Sequence, residues 1–196
     1  MKNDAVIYDF ETLSQDASKC VVVSCAMTTF SREGLAEGYY TFDKLVKQIQ
    51  NIKFKVQEQV EKYNLEIDPE TLEWWSEQSK EARALIKPSS EDVSIDKMIP
   101  WFNSQIKLND VRIVYTRNNT FDPIILKNIC EITNHKFPYP WWMIRDTKST
   151  IDGLTWHHDI KDSFIPPNCE GYVKHNPAHD IALDIMRLQT LVQATK

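Results

Sequence analysis

Glycine is scarce in this chain: 196 residues contain only four, against six tryptophans. Few flexible positions beside that much aromatic bulk indicate a packed, mixed α/β fold. An excess of positive charge is also missing. The formal net charge is −5, so a module that grips nucleic acid by phosphate neutralisation alone has no basic footprint to work with. An enzyme whose metal ions meet a phosphate is not excluded, because those ions bring their own positive charge.

Cysteine pairing is absent as well. Cys20, Cys25, Cys130 and Cys169 form no C-x-x-C pair, which argues against a zinc cluster and fits free thiols in a reducing compartment. Met1-Lys2-Asn3-Asp4 sets an acid before a short apolar run, unlike a signal peptide. No apolar run approaches the ~20 residues of a membrane span. Internal repeats and low-complexity linkers are lacking too. The expectation is one soluble, cytoplasmic domain over residues 1–196 with no membrane partner.

What is present starts at Ala5-Val6-Ile7-Tyr8-Asp9-Phe10-Glu11-Thr12. The β-branched and aromatic run predicts a buried strand. Alternation then sends Asp9 and Glu11 to the same side. Two adjacent carboxylates repel, and a divalent cation relieves the repulsion; hard carboxylate oxygens suit Mg²⁺ or Mn²⁺. The bland alternative is a polar strand end before a turn.

Cys20 to Met27 reads as a second, buried strand, and Tyr39-Tyr40-Thr41-Phe42, after Gly38, as a third. Short connections make these an antiparallel meander. Within the lysine- and glutamine-rich stretch 43–68, Ile52 to Val56 is a possible extension of the third strand. Asp68-Pro69 starts a helix carrying Trp74 and Trp75, and Ser79 caps another that Pro88 ends, so a helical insertion spans about 69–87. Further expected elements are an amphipathic helix from Ser94 to Ile106, a strand Arg112–Thr116, a helix Phe121–Ile132, a short strand Trp141–Ile144, a loop-rich stretch 153–174 and a closing helix from about Pro177 to Ala194.

Two more acidic sites follow. Asp122, in Asn118-Asn119-Thr120-Phe121-Asp122, falls in a first helical turn, where the helix dipole favours a carboxylate. A plain helix-entry acid would look the same. In His175-Asn176-Pro177-Ala178-His179-Asp180, a His precedes an Asp by five positions twice, as His175/Asp180 and His179/Asp184. Residues five apart within one helix point ~140° apart. Asn176 as cap and Pro177 in the first turn leave His175 outside the helix, free to fold over its start. His175 and Asp180 are therefore chosen, and His179 and Asp184 are expected on the surface.

Asp9-x-Glu11, Asn119-x-Phe121-Asp122 and His175-x-x-x-x-Asp180 together resemble the three motifs of the DEDDh superfamily of 3′-5′ exonucleases. Asn176 stands where the tyrosine branch would need Tyr, so the histidine branch fits. Pro69 to Trp75, Arg117 to Asp122 and Arg145-Asp146-Thr147 are most similar to the phage DexA-type exonuclease A and RNase AS group.

The resemblance implies a ribonuclease H-like mixed sheet: the three-stranded antiparallel meander plus parallel strands, flanked by helices. It implies two Mg²⁺ (or Mn²⁺) ions on Asp9, Glu11, Asp122 and Asp180, with His175 as general base. It places Thr12 and Leu13 beside the terminal nucleotide; Asn119 and Phe121 are further candidates for substrate contact, and Arg117 is another, with a surface salt bridge as its alternative. The expected partner is the 3′ end of single-stranded DNA or RNA, DNA favoured, in a phage-infected or bacterial host cytoplasm. A homodimer is one option, with Trp141-Trp142 as either interface or core. A nuclease-like module without catalysis is the alternative of another class. Of Trp74 and Trp75 at most one faces a site, since neighbouring helix positions diverge by ~100°; packing in the core is the preferred reading. Arg145 and Lys148 contact phosphate or form surface salt bridges. Asp146 either orders the site or caps the segment after it.

Overall fold

The run Ala5–Thr12 is the central strand, β1, of a five-stranded sheet in the computed structural model of the protein, which describes residues 1–106, 110–155 and 161–195. Alternation along β1 feeds two cores. Val6, Tyr8 and Phe10 enter one; Ala5 and Ile7 enter the other. On one side β1 pairs antiparallel with β2 (Val22–Phe30), which pairs antiparallel with β3 (Gln50–Lys53). On the other it pairs parallel with β4 (Ile113–Thr116), and β4 pairs parallel with β5 (Ile144–Asp146). The order β3-β2-β1-β4-β5 is the expected mixed sheet.

The third strand of the meander lies elsewhere than at 39–42. Gly38, at φ 71°, ends helix α1 (Arg32–Glu37), and Thr41 then launches α2 (Phe42–Gln48), whose Phe42 and Leu45 enter the second core. No strand ladder forms around Tyr40, because a distant amide takes its backbone groups. Gln189 Oε1 accepts from the Tyr40 N–H at 2.9 Å, and Gln189 Nε2 donates to the Tyr40 carbonyl at 2.9 Å. Strand β3 instead holds the Ile52-Lys53 end of the alternative stretch, and Val56–Tyr63 turns into α3.

Two short helices, α4 (Pro69–Ser76) and α5 (Lys80–Leu85), occupy the segment 69–87. Their caps are the expected ones: Asp68 Oδ1 accepts from Glu70 N, and Ser79 Oγ from Ala82 N. Trp75 and Ala82 from these helices join Leu13, Val21, Val23 and Leu65 in a third, smaller core. The segment from Ser94 opens with a 3₁₀ turn, Ile95–Lys97, before α6 (Met98–Gln105). Helix α6 and α7 (Asp122–Ile132) cover one face of the sheet.

The stretch Trp141–Met143 is a 3₁₀ turn rather than the expected strand; Met143 N bonds to the Pro140 carbonyl, and the ladder begins only at Ile144. Helix α8 (Thr147–Thr155) follows and takes up the start of the predicted loop-rich stretch; residues 156–160 of that stretch lie outside the described residues. The closing helix, α9 (Pro177–Ala194), packs with α1, α2 and α8 on the opposite face, against β1 and β2. All four cysteines are free and buried, and no helix among the described residues is long and apolar enough to cross a membrane.

Because β1 and β4 run parallel, their carboxyl ends share one edge of the sheet, and the starts of α7 and α9 meet them there. Ligands on open α/β sheets bind at that edge.

Candidate active site

Each acid reaches this edge for a local reason. Strand alternation puts Asp9 and Glu11 on the α9 side of β1. Asn176 caps α9, its Oδ1 accepting from Ala178 N at 3.1 Å and His179 N at 3.3 Å, so Asp180 lands in the first turn. Carboxylate oxygens of Asp9, Glu11 and Asp180 all lie within 4.8 Å of one another. Asp122, only 3% exposed, opens α7, and its Oδ1 accepts from Phe10 N at 3.0 Å. That bond locks the α7 start onto β1 between the other two acids. All four line one cleft of about 930 Å³.

Electrostatics mark this cluster as short of positive charge. Burial pushes Asp9 and Glu11 well above the usual carboxylate range; Asp122 and Glu11 press further on Asp9, and Asp180 on Glu11. Burial lifts Asp122 to about 7 against the lowering effect of the Phe10 N–H. Asp180 rises to about 6, again through burial, with the Tyr172 hydroxyl opposing. Hard oxygen donors in this number, crowded and partly protonated without a counter-charge, fit a divalent cation of the Mg²⁺ or Mn²⁺ kind.

His175 sits beside the acids at φ 63°, outside the helix that Asn176 begins. Its half-buried ring meets Trp74 edge-on, centroids 4.6 Å apart, with Trp75 at 6.1 Å. Burial, and then Lys174, lower its pKa, so the neutral ring is favoured. The tryptophan pair divides as adjacent helix positions must. Trp75 is 2% exposed and donates Nε1–H to the Thr12 carbonyl at 3.0 Å; Trp74 is 39% exposed. Trp75→Ala is expected to cost about 3–5 kcal/mol in urea melts and Trp74→Ala under about 1 kcal/mol; equal losses would contradict this division.

A side cavity of about 340 Å³ adjoins the cleft, walled by Trp74, Phe121, Thr12 and Glu11. Leu13 does not face it. Its side chain is buried against Val21, Val23, Leu65 and Trp75, a correction to the expectation that it would flank substrate, made because strand β1 ends at Thr12 and the chain turns inward. Thr12 lines the side cavity while its hydroxyl donates to the Ser14 carbonyl. Asn119 holds the loop: Thr116 Oγ1 donates to its Oδ1, and its N–H donates to Asp146 Oδ2. Asp146 thus orders the loop, and its Oδ1 also accepts from Ser149 N at the start of α8. Arg145 donates to the Trp142 and Ile144 carbonyls; Lys148 lines the cleft. Trp141 and Trp142 are exposed, with Trp141 stacked on Phe137.

The two His/Asp registers differ in orientation. His179 turns toward Phe42 and accepts from Val173 N, away from the acids. Asp184, expected on the surface, is instead buried at 3% exposure. It lies one helical turn beyond Asp180, on the same face, and two guanidiniums meet it: Arg117 Nη1 at 2.6 Å and Arg187 Nη1 at 2.7 Å. Arg117 lines the cleft but is engaged this way, and by Asp162 at 3.0 Å. Tyr172, which sequence reasoning passed over, donates its hydroxyl to Asp180 Oδ1 at 2.5 Å. Nothing in its spacing from Asp180 announces that contact.

A meander continued by parallel strands, with carboxylates from β1, α7 and α9 gathered at one edge, is a ribonuclease H-like fold. Escherichia coli exonuclease I shows the same fold: its zinc-bound complex with single-stranded DNA gives a TM-score of 0.58 at 13% identity over 98% of this chain, and its complex with a dT13 oligonucleotide 0.57 at 15%. The chain spans about 40% of those exonuclease I chains. Residues 4–191 match the Rv2179c-like 3′-5′ exoribonuclease domain, and the chain belongs to that family. The exodeoxyribonuclease of Enterobacteria phage T4 is 32% identical over 201 residues, covering 93% of this chain and 86% of the relative. The protein is a 3′-5′ exonuclease.

Proposed function

We propose that this exonuclease shortens single-stranded nucleic acid, DNA in preference to RNA, and releases nucleoside 5′-monophosphates. The observation that carries the reading is the convergence of Asp9, Glu11 and Asp180 oxygens beside buried Asp122 and the neutral-leaning His175 in one cleft. The name of the 32% identical phage relative supports DNA. The family description supports a second reading, in which the substrate is RNA or a specialised RNA end.

Asp9, Glu11, Asp122 and Asp180 would hold two Mg²⁺ or Mn²⁺ ions. Such a pair, when bound, supplies positive charge to the attacked phosphate, the incoming water and the departing 3′ oxygen. The chain's own part is positional. Asp122, pinned to Phe10 N, fixes the spacing between β1 and α7. Trp74 holds the His175 ring edge-on over the site. His175 takes the proton from the attacking water as oxygen bonds to phosphorus; the P–O3′ bond breaks, and the 3′ oxygen leaves on the shortened strand, where it acquires a proton. Phe121 and Trp74 border the side cavity, which has room for a terminal base.

With metal saturating at every pH, His175→Asn should lower kcat by about 10²–10³-fold and flatten the acid side of the kcat profile. In the wild type that side rises as His175 loses its proton, below its ordinary value of 6.5. An unaltered profile in the variant would remove the base assignment. The reaction is tested by end-labelled single-stranded DNA and matched RNA in Mg²⁺, Mn²⁺ or EDTA. Stepwise 3′ shortening that EDTA stops, faster on DNA, is the expected result; faster RNA decay selects the second reading.

A further inference from the structure

One wall of the cleft is made by a short segment with no regular structure, residues 161–165. Its residues alternate in exposure. Asp162 and Phe164 are half-buried, while Lys161, Ser163 and Ile165 are exposed. The inward pair is held at several points. Arg117 Nη2 lies 3.0 Å from Asp162 Oδ2, and Arg187 Nε donates to the Phe164 carbonyl at 2.8 Å. The Phe164 ring packs on the core beneath α9. Both guanidiniums converge on Asp184 Oδ1. Two cations against two carboxylates leave no net charge, so this cluster offers little attraction to a phosphate; its geometry is that of a clamp. The residues left facing outward, Ser163 and Ile165, both line the cleft. Ile165 is 62% exposed, a bare apolar side chain in a cleft otherwise rich in charge. An apolar side chain there meets the face of a base or sugar without regard to sequence.

We infer that Ser163 and Ile165 form a nucleic-acid-contacting wall of the cleft, and that Arg117 and Arg187 are positioning residues that fasten this wall to α9 through Asp162, Asp184 and the Phe164 carbonyl. The inference rests on the cleft being where the strand is held. One helix thereby carries Asp180 toward the reacting phosphate and, one turn later, the anchor of the substrate wall. A displaced wall alters how tightly the strand is held more than how fast it reacts.

The test uses the full chain with dodecamers (dT)₁₂ and (U)₁₂, on whichever the wild type degrades faster. Ile165→Asp is expected to raise KM by about tenfold with kcat within about twofold. Asp162→Ala is expected to raise KM by about fivefold, and Asp162→Glu to restore most of it. Trypsin gives a readout independent of turnover: cleavage after Lys161 should be several-fold faster in Arg117→Gln, which leaves both residues at the cut unchanged, than in the wild type, at matching melting temperatures. A wild-type KM in Ile165→Asp would overturn the wall contact. Wild-type trypsin cleavage in Arg117→Gln would overturn the clamp. If the wild type shortened neither dodecamer, the exonuclease reading of the cleft would fail and take the wall contact with it, while the trypsin comparison would still decide the clamp.

Discussion

Asp122→Asn is expected to lower metal-dependent kcat/KM by at least about 10³-fold while leaving the metal-free fold as stable as before, or more so, at pH 8. Asparagine keeps an oxygen where Asp122 Oδ1 accepts from Phe10 N, so the link between β1 and α7 survives. What it removes is a buried negative charge that burial has already pushed up to about 7. Alanine is the poorer probe, because it strands the Phe10 N–H without a partner, at a cost of about 1–3 kcal/mol. Asp9→Ala should be equally inactive. Its carboxyl is raised by burial and by Asp122, so its loss relieves repulsion too. Activity with thermal unfolding in EDTA separates the outcomes. Normal turnover in both variants would dismiss the metal-site assignment; inactivity with collapse of the fold would make these acids structural.

The second large effect joins pH, metal and stability. Asp122 moves from its ordinary 3.8 to about 7 in the fold, and Asp180 from 3.8 to about 6, both through burial. The folded state therefore holds protons that the unfolded chain releases. The stability these groups contribute is complete below 3.8 and is lost as pH rises through about 6 and then about 7. Metal-free protein should accordingly weaken between pH 5 and pH 8, by on the order of 2–4 kcal/mol for buried Asp122. Divalent ions act in the opposite sense. They bind the deprotonated cluster, so Mn²⁺ at a hundredfold excess over its dissociation constant returns about 2.7 kcal/mol at pH 8, a melting-point rise of about 5–10 °C for a chain of this size. At pH 5 protons compete and the gain should be small. Calorimetry at both pH values, with and without Mn²⁺, checks this. A metal-free melting point that climbs from pH 5 to pH 8, or a larger metal effect at pH 5, would count against the charge-crowded site.

The placement of the acids was readable because each depends on a local rule. Period-two alternation set Asp9 and Glu11 on one side of β1, and Asn176-Pro177 set the start of α9, so Asp180 entered the first turn and His175 stayed outside. The same local rule misread Asp184. From helix geometry its divergence from His179 was visible, but not the face it takes, because that is decided by Arg117, 67 residues earlier in the chain. Tyr40 failed in the same way. Its aromatic, strand-like neighbourhood is overruled by the amide of Gln189, 149 residues away, which supplies the bonds a neighbouring strand would have supplied. Gln59 does the same for Val22 across 37 residues, with Oε1 on the N–H and Nε2 on the carbonyl.

The sequence by itself determined the sheet type, the placement of four carboxylates and a histidine at one edge, and the exonuclease family, since strand alternation and helix capping act within a few residues and motif spacing survives in one dimension. Only the tertiary structure decided that Trp75 packs while Trp74 faces the histidine, that Leu13 is core, that Tyr172 bonds Asp180, and that Arg117 joins Asp162 to Asp184. Those contacts pair polar or aromatic groups brought together by folding over long stretches of chain, and a pairwise bond of that kind leaves no period in the sequence for either partner to betray.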